Sequence, residues 1–194
     1  MDKKKVFIKK LEPSLNSNYY NVFLQEEDGN RVLNITIGEF EAQRMAIEMD
    51  EIAVPRPLTY DMFKTIMDEY GLEVVEVVLN KFSEGIYYSE IVCSDGREEK
   101  RFDSRTSDAI NMALKFKTPI FASEEVLDKV GFPDYEVETK APIVRTKELF
   151  FSKAKEVLIE DLENLLEVAI EREEYDLAAT LRDQLRILKN NETK

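Results

Sequence analysis

No histidine occurs anywhere in this chain, and that absence removes more chemistry than any single motif adds. Histidine-paired serine or cysteine nucleophiles, histidine general-base ribonucleases and histidine-ligated zinc or iron all need an imidazole. Catalysis, if present, must use carboxylates, Lys, Tyr, Arg, hydroxyls or an oxygen-ligated cation such as magnesium or manganese. The lone cysteine, Cys93, excludes an internal disulfide and a Cys-rich zinc cluster. No apolar run approaches the roughly 18 residues of a membrane span. The basic start Met1-Asp2-Lys3-Lys4-Lys5 is followed only by Val6-Phe7-Ile8 before Lys9-Lys10, which is not a secretory pattern. The expectation is a soluble, cytoplasmic protein without membrane contact.

An excess of positive charge is also missing. The net charge is −13, with 40 acidic against 27 basic residues among 194, and neither residues 1–150 nor residues 151–194 form a basic module. Nucleic-acid affinity comes from neutralising phosphates, so the global balance disfavours tight, non-specific binding of nucleic acid. It leaves room for a local basic patch, and metal-dependent nucleases concentrate carboxylates. The run Lys3–Lys5 with Lys9 and Lys10 reads as such a patch, as a solvated tail, or as protection of an edge strand.

What is present is ample apolar residue, 43% of the chain, in alternating patterns. Tyr20–Glu27 and Arg31–Ile37 flank Asp28-Gly29-Asn30, which predicts a hairpin. Gly38 closes the second run, and Glu39-Phe40-Glu41-Ala42 opens a helix with Ala42, Met45, Ala46 and Met49 on one face. Pro55 and Pro57 hold residues 53–58 extended. Thr59 is placed to cap a helix carrying Met62, Phe63, Ile66, Met67 and Tyr70 that stops at Gly71. Val74–Leu79, Ile86–Cys93 and Glu98–Asp103 predict three strands. A third helix starts near Thr106–Asp108, Pro119–Ala122 is a short strand, and Ser123 caps a brief helix ending at Gly131. These elements predict an α+β domain over residues 1–131, its mixed or antiparallel sheet packed with helices. A linker, residues 132–147, and a C-terminal α-helical hairpin, residues 148–194, complete the expectation.

The hairpin carries the most specific pattern: Leu162-x-x-x-Leu166-x-x-Ala169-x5-Tyr175-Asp176-x-Ala178-Ala179-x-x-Arg182-Asp183. Ala169, Ala178 and Ala179 permit close helix approach, Tyr175 fills the turn end, and Arg182 and Asp183 suit a polar rim or a cross-helix ion pair. Short helices are marginal alone, so the segment reads as a docking element.

Three clusters in the first domain fall where chemistry could sit: Ile37-Gly38-Glu39-Phe40-Glu41-Ala42, Pro55-Arg56-Pro57-Leu58-Thr59-Tyr60-Asp61, and Asp103-Ser104-Arg105-Thr106-Ser107-Asp108-Ala109-Ile110. With Pro119-Ile120-Phe121 and Glu125-Val126-Leu127 they resemble the bifunctional nuclease family. Its usual wording is I-G-x-x-E-A, R-P-x-T-H-D and D-A-R-P-S-D-A-I-x-L-A. The resemblance covers residues 20–131. The closing hairpin, residues 160–188, resembles the UVR motif of excinuclease subunits B and C. Two departures stand out: Tyr60 occupies the family's histidine position, and Thr106 replaces a proline.

The resemblance implies a metal-dependent nuclease hydrolysing RNA and DNA. Arg105 would clamp a phosphate at a helix N-terminus beside Ser107, with Arg56 and Thr59 as further substrate contacts. Asp103 and Asp108, with Glu41 or Asp61, would hold a magnesium or manganese ion. The same residues read equally as structure: Ser107 and Asp108 as first-turn caps, Arg105 as an ion-pair partner of Asp103 or Asp61, and Arg56 as a loop lock. Glu39 and Glu41 diverge by about 200° on one helix, so at most one faces a given site. Tyr60 is either a proton donor or a packing residue. The alternative function is a non-catalytic homodimeric adaptor whose hairpin docks onto a second copy, an excinuclease-type partner or another protein.

Overall fold

The computed structural model describes residues 2–14, 18–52, 54, 56–134, 163–164, 166–170 and 175–190. It comprises two compact units, residues 1–144 and 145–194. The first is an α+β body on one eight-stranded sheet of order β6-β5-β4-β7-β1-β2-β3-β8. The strands are β1 (Lys3–Pro13), β2 (Tyr19–Glu26), β3 (Arg31–Gly38), β4 (Glu73–Ser83), β5 (Ile86–Ser94), β6 (Glu99–Arg105), β7 (Ile120–Ser123) and β8 (Phe132–Pro133). Neighbours are antiparallel except β4 and β7, which run parallel.

The N-terminal lysine run is neither a tail nor an edge. It lies in β1, hydrogen-bonded to β7 on one side and β2 on the other, with Val6 buried. Its charges are answered locally: Lys3 by Glu76, Lys5 by Glu27, Lys9 by Asp134 and Lys10 by Glu12. Lysine stems lie along the sheet while their ammonium groups reach carboxylates at its surface.

In β4, the consecutive residues Val77, Val78 and Leu79 are all buried, as are Val22, Phe23 and Leu24 in β2. Side chains alternate faces along a strand, so both faces of the sheet's middle are covered. The sheet also curls. The Tyr87 hydroxyl on β5 donates to the Asn34 carbonyl on β3, 3.2 Å away. Those strands stand five places apart, about 24 Å in a flat sheet. The short helix α4 (Glu124–Val130) contacts β3, β4 and β7 and buries Val126 and Leu127 completely. Ser123 caps it as expected, accepting from the Val126 N–H. Arg31 binds Glu26, Glu124 and Asp128, tying β3 to α4.

Helices α1 (Glu39–Met49) and α2 (Thr59–Glu69) both pack against α3 (Thr106–Phe116). Thr59 is not the cap of α2. Leu58 holds that position, and the Asp61 carboxylate reaches back to accept its N–H at 2.7 Å. An acid at the third helical position does what the threonine was expected to do.

The expected linker begins too early. Phe132 and Pro133 pair with Val32 and Arg31, the Asp134 N–H donates to the Asn30 carbonyl, and its carboxylate receives Lys9 and Gln25. The residues paired into the sheet thus reach Asp134, and residues 135–147 lie outside the described residues.

In the second unit, α5 (Tyr175–Asn190) packs against helical residues 166–170 through Leu166, Ala169, Ala178 and Leu181, with Leu185 also buried. The spacing 178, 181, 185 is one helical stripe. Ala179 falls off that stripe and is exposed, so it does not mediate close approach. Tyr175 is 67% exposed, and the turn it was expected to fill, residues 171–174, lies outside the described residues. Arg182 and Asp183 are exposed, and Leu162 lies outside the described residues. Among the described residues, no helix is long and apolar enough to cross a membrane.

Candidate functional site

The three sequence clusters meet at one corner of the first unit. Strand β6 runs straight into α3, with Arg105 as the last extended residue and Thr106 the first helical one. Thr106, in place of the family's proline, is buried and shares a 2.8 Å hydrogen bond with Ser89. This fixes the strand-to-helix bend that presents Arg105, Ser107 and Asp108.

Arg105 links two elements. Its Nε donates to Asp108 Oδ2 at 2.7 Å, its Nη2 to Asp108 Oδ1 at 3.1 Å, and its Nη1 to Glu41 Oε1 at 3.1 Å. Three of five guanidinium N–H donors are thus used on the two carboxylates, and the side chain remains 68% exposed. Tyr60, from α2, donates its hydroxyl to Asp108 Oδ1 at 2.7 Å. Burial, followed by the Asp108 contact, raises the Tyr60 pKa well above its usual 10. Tyr60 therefore keeps its proton near neutrality and orients Asp108 as a donor. Asp108 raises the Arg105 pKa further, so the guanidinium is permanently charged.

Glu41, in the first turn of α1, reaches this corner. A Cβ on Gly38 would stand 2.6 Å from Glu41 Oε2, so the missing side chain leaves room for the carboxylate. Asn111, fully buried on α3, donates to the carbonyls of Glu41 and Ser107 at 3.2 and 3.0 Å. It pins α1 to α3 and thereby sets the Glu41–Arg105 spacing. The sequence gives one hint of this: a polar residue inside the apolar stripe Ile110–Ala113. An open cleft of about 550 Å³ adjoins the corner, lined by Thr36, Gly38, Glu41, Tyr87, Arg105 and Ser107.

Other expected site residues are placed elsewhere. Asp61 is ion-paired with Lys115, which also binds Glu48 at 2.9 Å. Lys115 is seven residues beyond Asp108 on α3, about 10 Å along its axis. Lys115, then the Leu58 N–H, lower the Asp61 pKa. Asp61 thus fastens α2 to α3 and does not face Arg105. Asp103 is exposed on β6 opposite Glu90, and Arg56 and Thr59 are exposed near the start of α2.

Asp103, Asp108 and Glu41 do not form a shared cation site in this arrangement. Both Asp108 oxygens are engaged by donors and one Glu41 oxygen by Arg105, placing a fixed positive charge where a metal would bind. Among the described residues, no group of three Asp, Glu or Cys side chains is gathered as metal ligands. Magnesium demands near-octahedral oxygen ligation, which these paired carboxylates do not offer.

Comparison with known proteins gives the family. Residues 22–134 match the bifunctional nuclease domain and residues 156–191 the UvrB/UvrC motif. The chain belongs to the bifunctional nuclease domain family and carries a UVR motif at its C-terminal end. An uncharacterised protein of Mycobacterium tuberculosis is 32% identical over 139 residues, 71% of this chain and 82% of that protein. Bifunctional nuclease 2 of Oryza sativa subsp. japonica is 30% identical, over 87% of this chain and 56% of its own length. Bifunctional nuclease 1 of Arabidopsis thaliana is 29% identical, over 84% and 54% respectively. This chain thus spans little more than half the length of those plant relatives.

Proposed function

We propose that this protein is a nuclease that hydrolyses phosphodiester bonds in RNA and DNA at the Glu41–Arg105–Asp108 corner, with its hairpin serving recruitment. The carrying observation is Arg105: an exposed guanidinium at a helix start, held by two carboxylates and retaining two N–H donors beside an open cleft. Those donors suit a phosphoryl oxygen, and Ser107 adds a hydroxyl at the same helix N-terminus. Glu41 takes the proton of an attacking water. The phosphorus–oxygen bond to the leaving strand breaks, and the leaving oxygen is protonated from solvent. Asp108 aligns Arg105, and Tyr60 aligns Asp108. Asp103 lies one pleat up the strand, where it bears on the approach of substrate.

A second reading, a non-catalytic adaptor acting through the hairpin, draws support from the same corner. An ion-pair network satisfied within the protein is also what a structural clasp looks like. Labelled single-stranded RNA and DNA, incubated with purified protein plus magnesium, manganese or chelator, separate the two. Cleavage lost in Asp108→Ala, with the circular dichroism spectrum intact, supports the nuclease. Protein inert in every metal condition removes it. Cleavage that persists in chelator fits the paired carboxylates, whereas strict metal dependence requires Arg105 to give up a carboxylate.

A further inference from the structure

Strand β6 is one edge of the sheet, and among the described residues nothing pairs with its outer side. It has seven residues, Glu99-Lys100-Arg101-Phe102-Asp103-Ser104-Arg105, with Phe102 at the centre. Register with β5 assigns the faces: Arg101 lies opposite Val92 and Asp103 opposite Glu90, while Phe102 lies opposite Ile91. Glu99, Arg101, Asp103 and Arg105 therefore share one face. Lys100, Phe102 and Ser104 share the other.

The face of Phe102 borders an apolar groove of about 250 Å³, lined by Phe63, Met67, Ile91, Cys93, Phe102 and Met112. Phe102 is 52% and Phe63 48% exposed. An uncovered edge with large apolar groups beside it invites strand addition. Charges on an edge usually discourage pairing, but here their order favours it in one register.

We propose that β6 is the interface with a second copy of this chain, the two β6 strands pairing antiparallel about a two-fold axis at Phe102. That register sets Phe102 against its own counterpart, Arg101 against the second copy's Asp103, and Glu99 against its Arg105. Lys100 meets Ser104. A two-fold axis perpendicular to the sheet keeps each residue on its own face, so allowed registers are centred on a residue. Centring on Arg101 would oppose that arginine to itself and Glu99 to Asp103. Centring on Asp103 would oppose two aspartates, and Arg101 to Arg105. Centring on Lys100 would oppose that lysine to itself, and centring on Ser104 would pair only residues 103–105 within the strand. Phe102 is the centre that pairs all seven residues without a like-charge contact, and like charges directly opposite destabilise a sheet. The pairing also joins the two apolar grooves across the axis and brings the second copy's Glu99 beside Arg105 at the candidate site. This concerns association alone and is independent of turnover.

Two charge reversals test it on the full chain by sedimentation and light scattering. Arg101→Glu opposes acid to acid at two symmetric positions, and Asp103→Arg opposes base to base. Each alone weakens the dimer about tenfold or more. Mixed in equal amounts, the two variants restore association as a heterodimer, because each introduced charge meets an opposite one across the axis. Arg101 also binds Glu90 at 3.1 Å and Glu76 at 3.9 Å within its own chain. Circular dichroism of each variant and the rescue on mixing, which a folding defect would not give, therefore separate lost pairing from lost folding. A third variant reads position directly: Phe102→Cys in a Cys93→Ser background forms an intermolecular disulfide on mild oxidation, since directly opposed Cβ atoms lie about 5 Å apart. A monomeric wild type at about 100 μM, far above the Kd that a stable dimer requires, overturns the proposal. So does a dimer indifferent to both reversals, which assigns pairing to another surface such as the hairpin.

Discussion

Tyr60 donates a 2.7 Å hydrogen bond to Asp108 across 48 residues of sequence, from α2 to the first turn of α3. Where the family's wording has histidine, this chain has a hydrogen-bond donor that does not titrate near neutrality. Tyr60 therefore orients Asp108 without exchanging a proton near neutrality.

Tyr60→Phe should isolate that orienting role. Asp108 keeps Arg105, so the variant folds, with a loss of about 1–2 kcal/mol for a hydrogen bond to a carboxylate. The melting temperature and denaturant midpoint check the size. If Tyr60 only packs, the phenyl ring replaces it at no measurable cost.

Arg105 should separate activity from stability. Its side chain is 68% exposed, so its ion pairs contribute at most about 1 kcal/mol. Arg105→Ala is therefore expected to melt near wild type yet cleave RNA about 100-fold more slowly, the scale of removing a charge-stabilising donor. Arg105→Lys keeps the charge without the fork and should recover little of the rate. A large thermal loss with unchanged cleavage would make Arg105 a clasp.

Strong acid should loosen the α2–α3 junction. Asp61 has a folded pKa below its usual 3.8, chiefly through Lys115, so it stabilises the fold above that value. That contribution is lost as pH falls through the depressed pKa, below about 4. Glu26, lowered by Arg31, behaves alike. Lys115 runs the opposite way. Burial opposes its charge, but Asp61 and Glu48 prevail and raise its pKa, so its contribution holds below 10.5 and fades above. Urea midpoints measured from pH 2 to 6 should fall steeply at the acid end for wild type. Asp61→Asn should flatten that fall.

Removing the lysine-rich N-terminus should destroy the first unit, because β1 bridges β7 and β2. Deleting residues 2–13 is expected to give an unfolded or insoluble chain. Val6→Asp should cost about 3 kcal/mol for an unpaired buried charge. A soluble deletion variant with wild-type circular dichroism would contradict the central placement of β1. By contrast, a chain ending at Val144 should melt like wild type, since the second unit is separately compact.

Local pattern determined a good deal of this protein. The β2–β3 hairpin follows from Asp28-Gly29-Asn30, the cap of α4 from Ser123, and the strand-to-helix turn from the Asp103–Ile110 cluster. The missing histidine fixed which reagents a site could use. Each of these depends on residues a few positions apart, where propensity and capping act directly. Tertiary structure decided the remainder. Five lysines in eleven residues give β1 the composition of a solvated segment, yet distant carboxylates such as Glu76 and Asp134 make it an interior strand. Asp61 and Asp108 stand in equally plausible motifs, but α3 separates them by two turns and gives one to Lys115 and the other to Arg105. Pairing across 50 to 125 residues depends on how the sheet curls and which helix faces meet, and no local spacing encodes it.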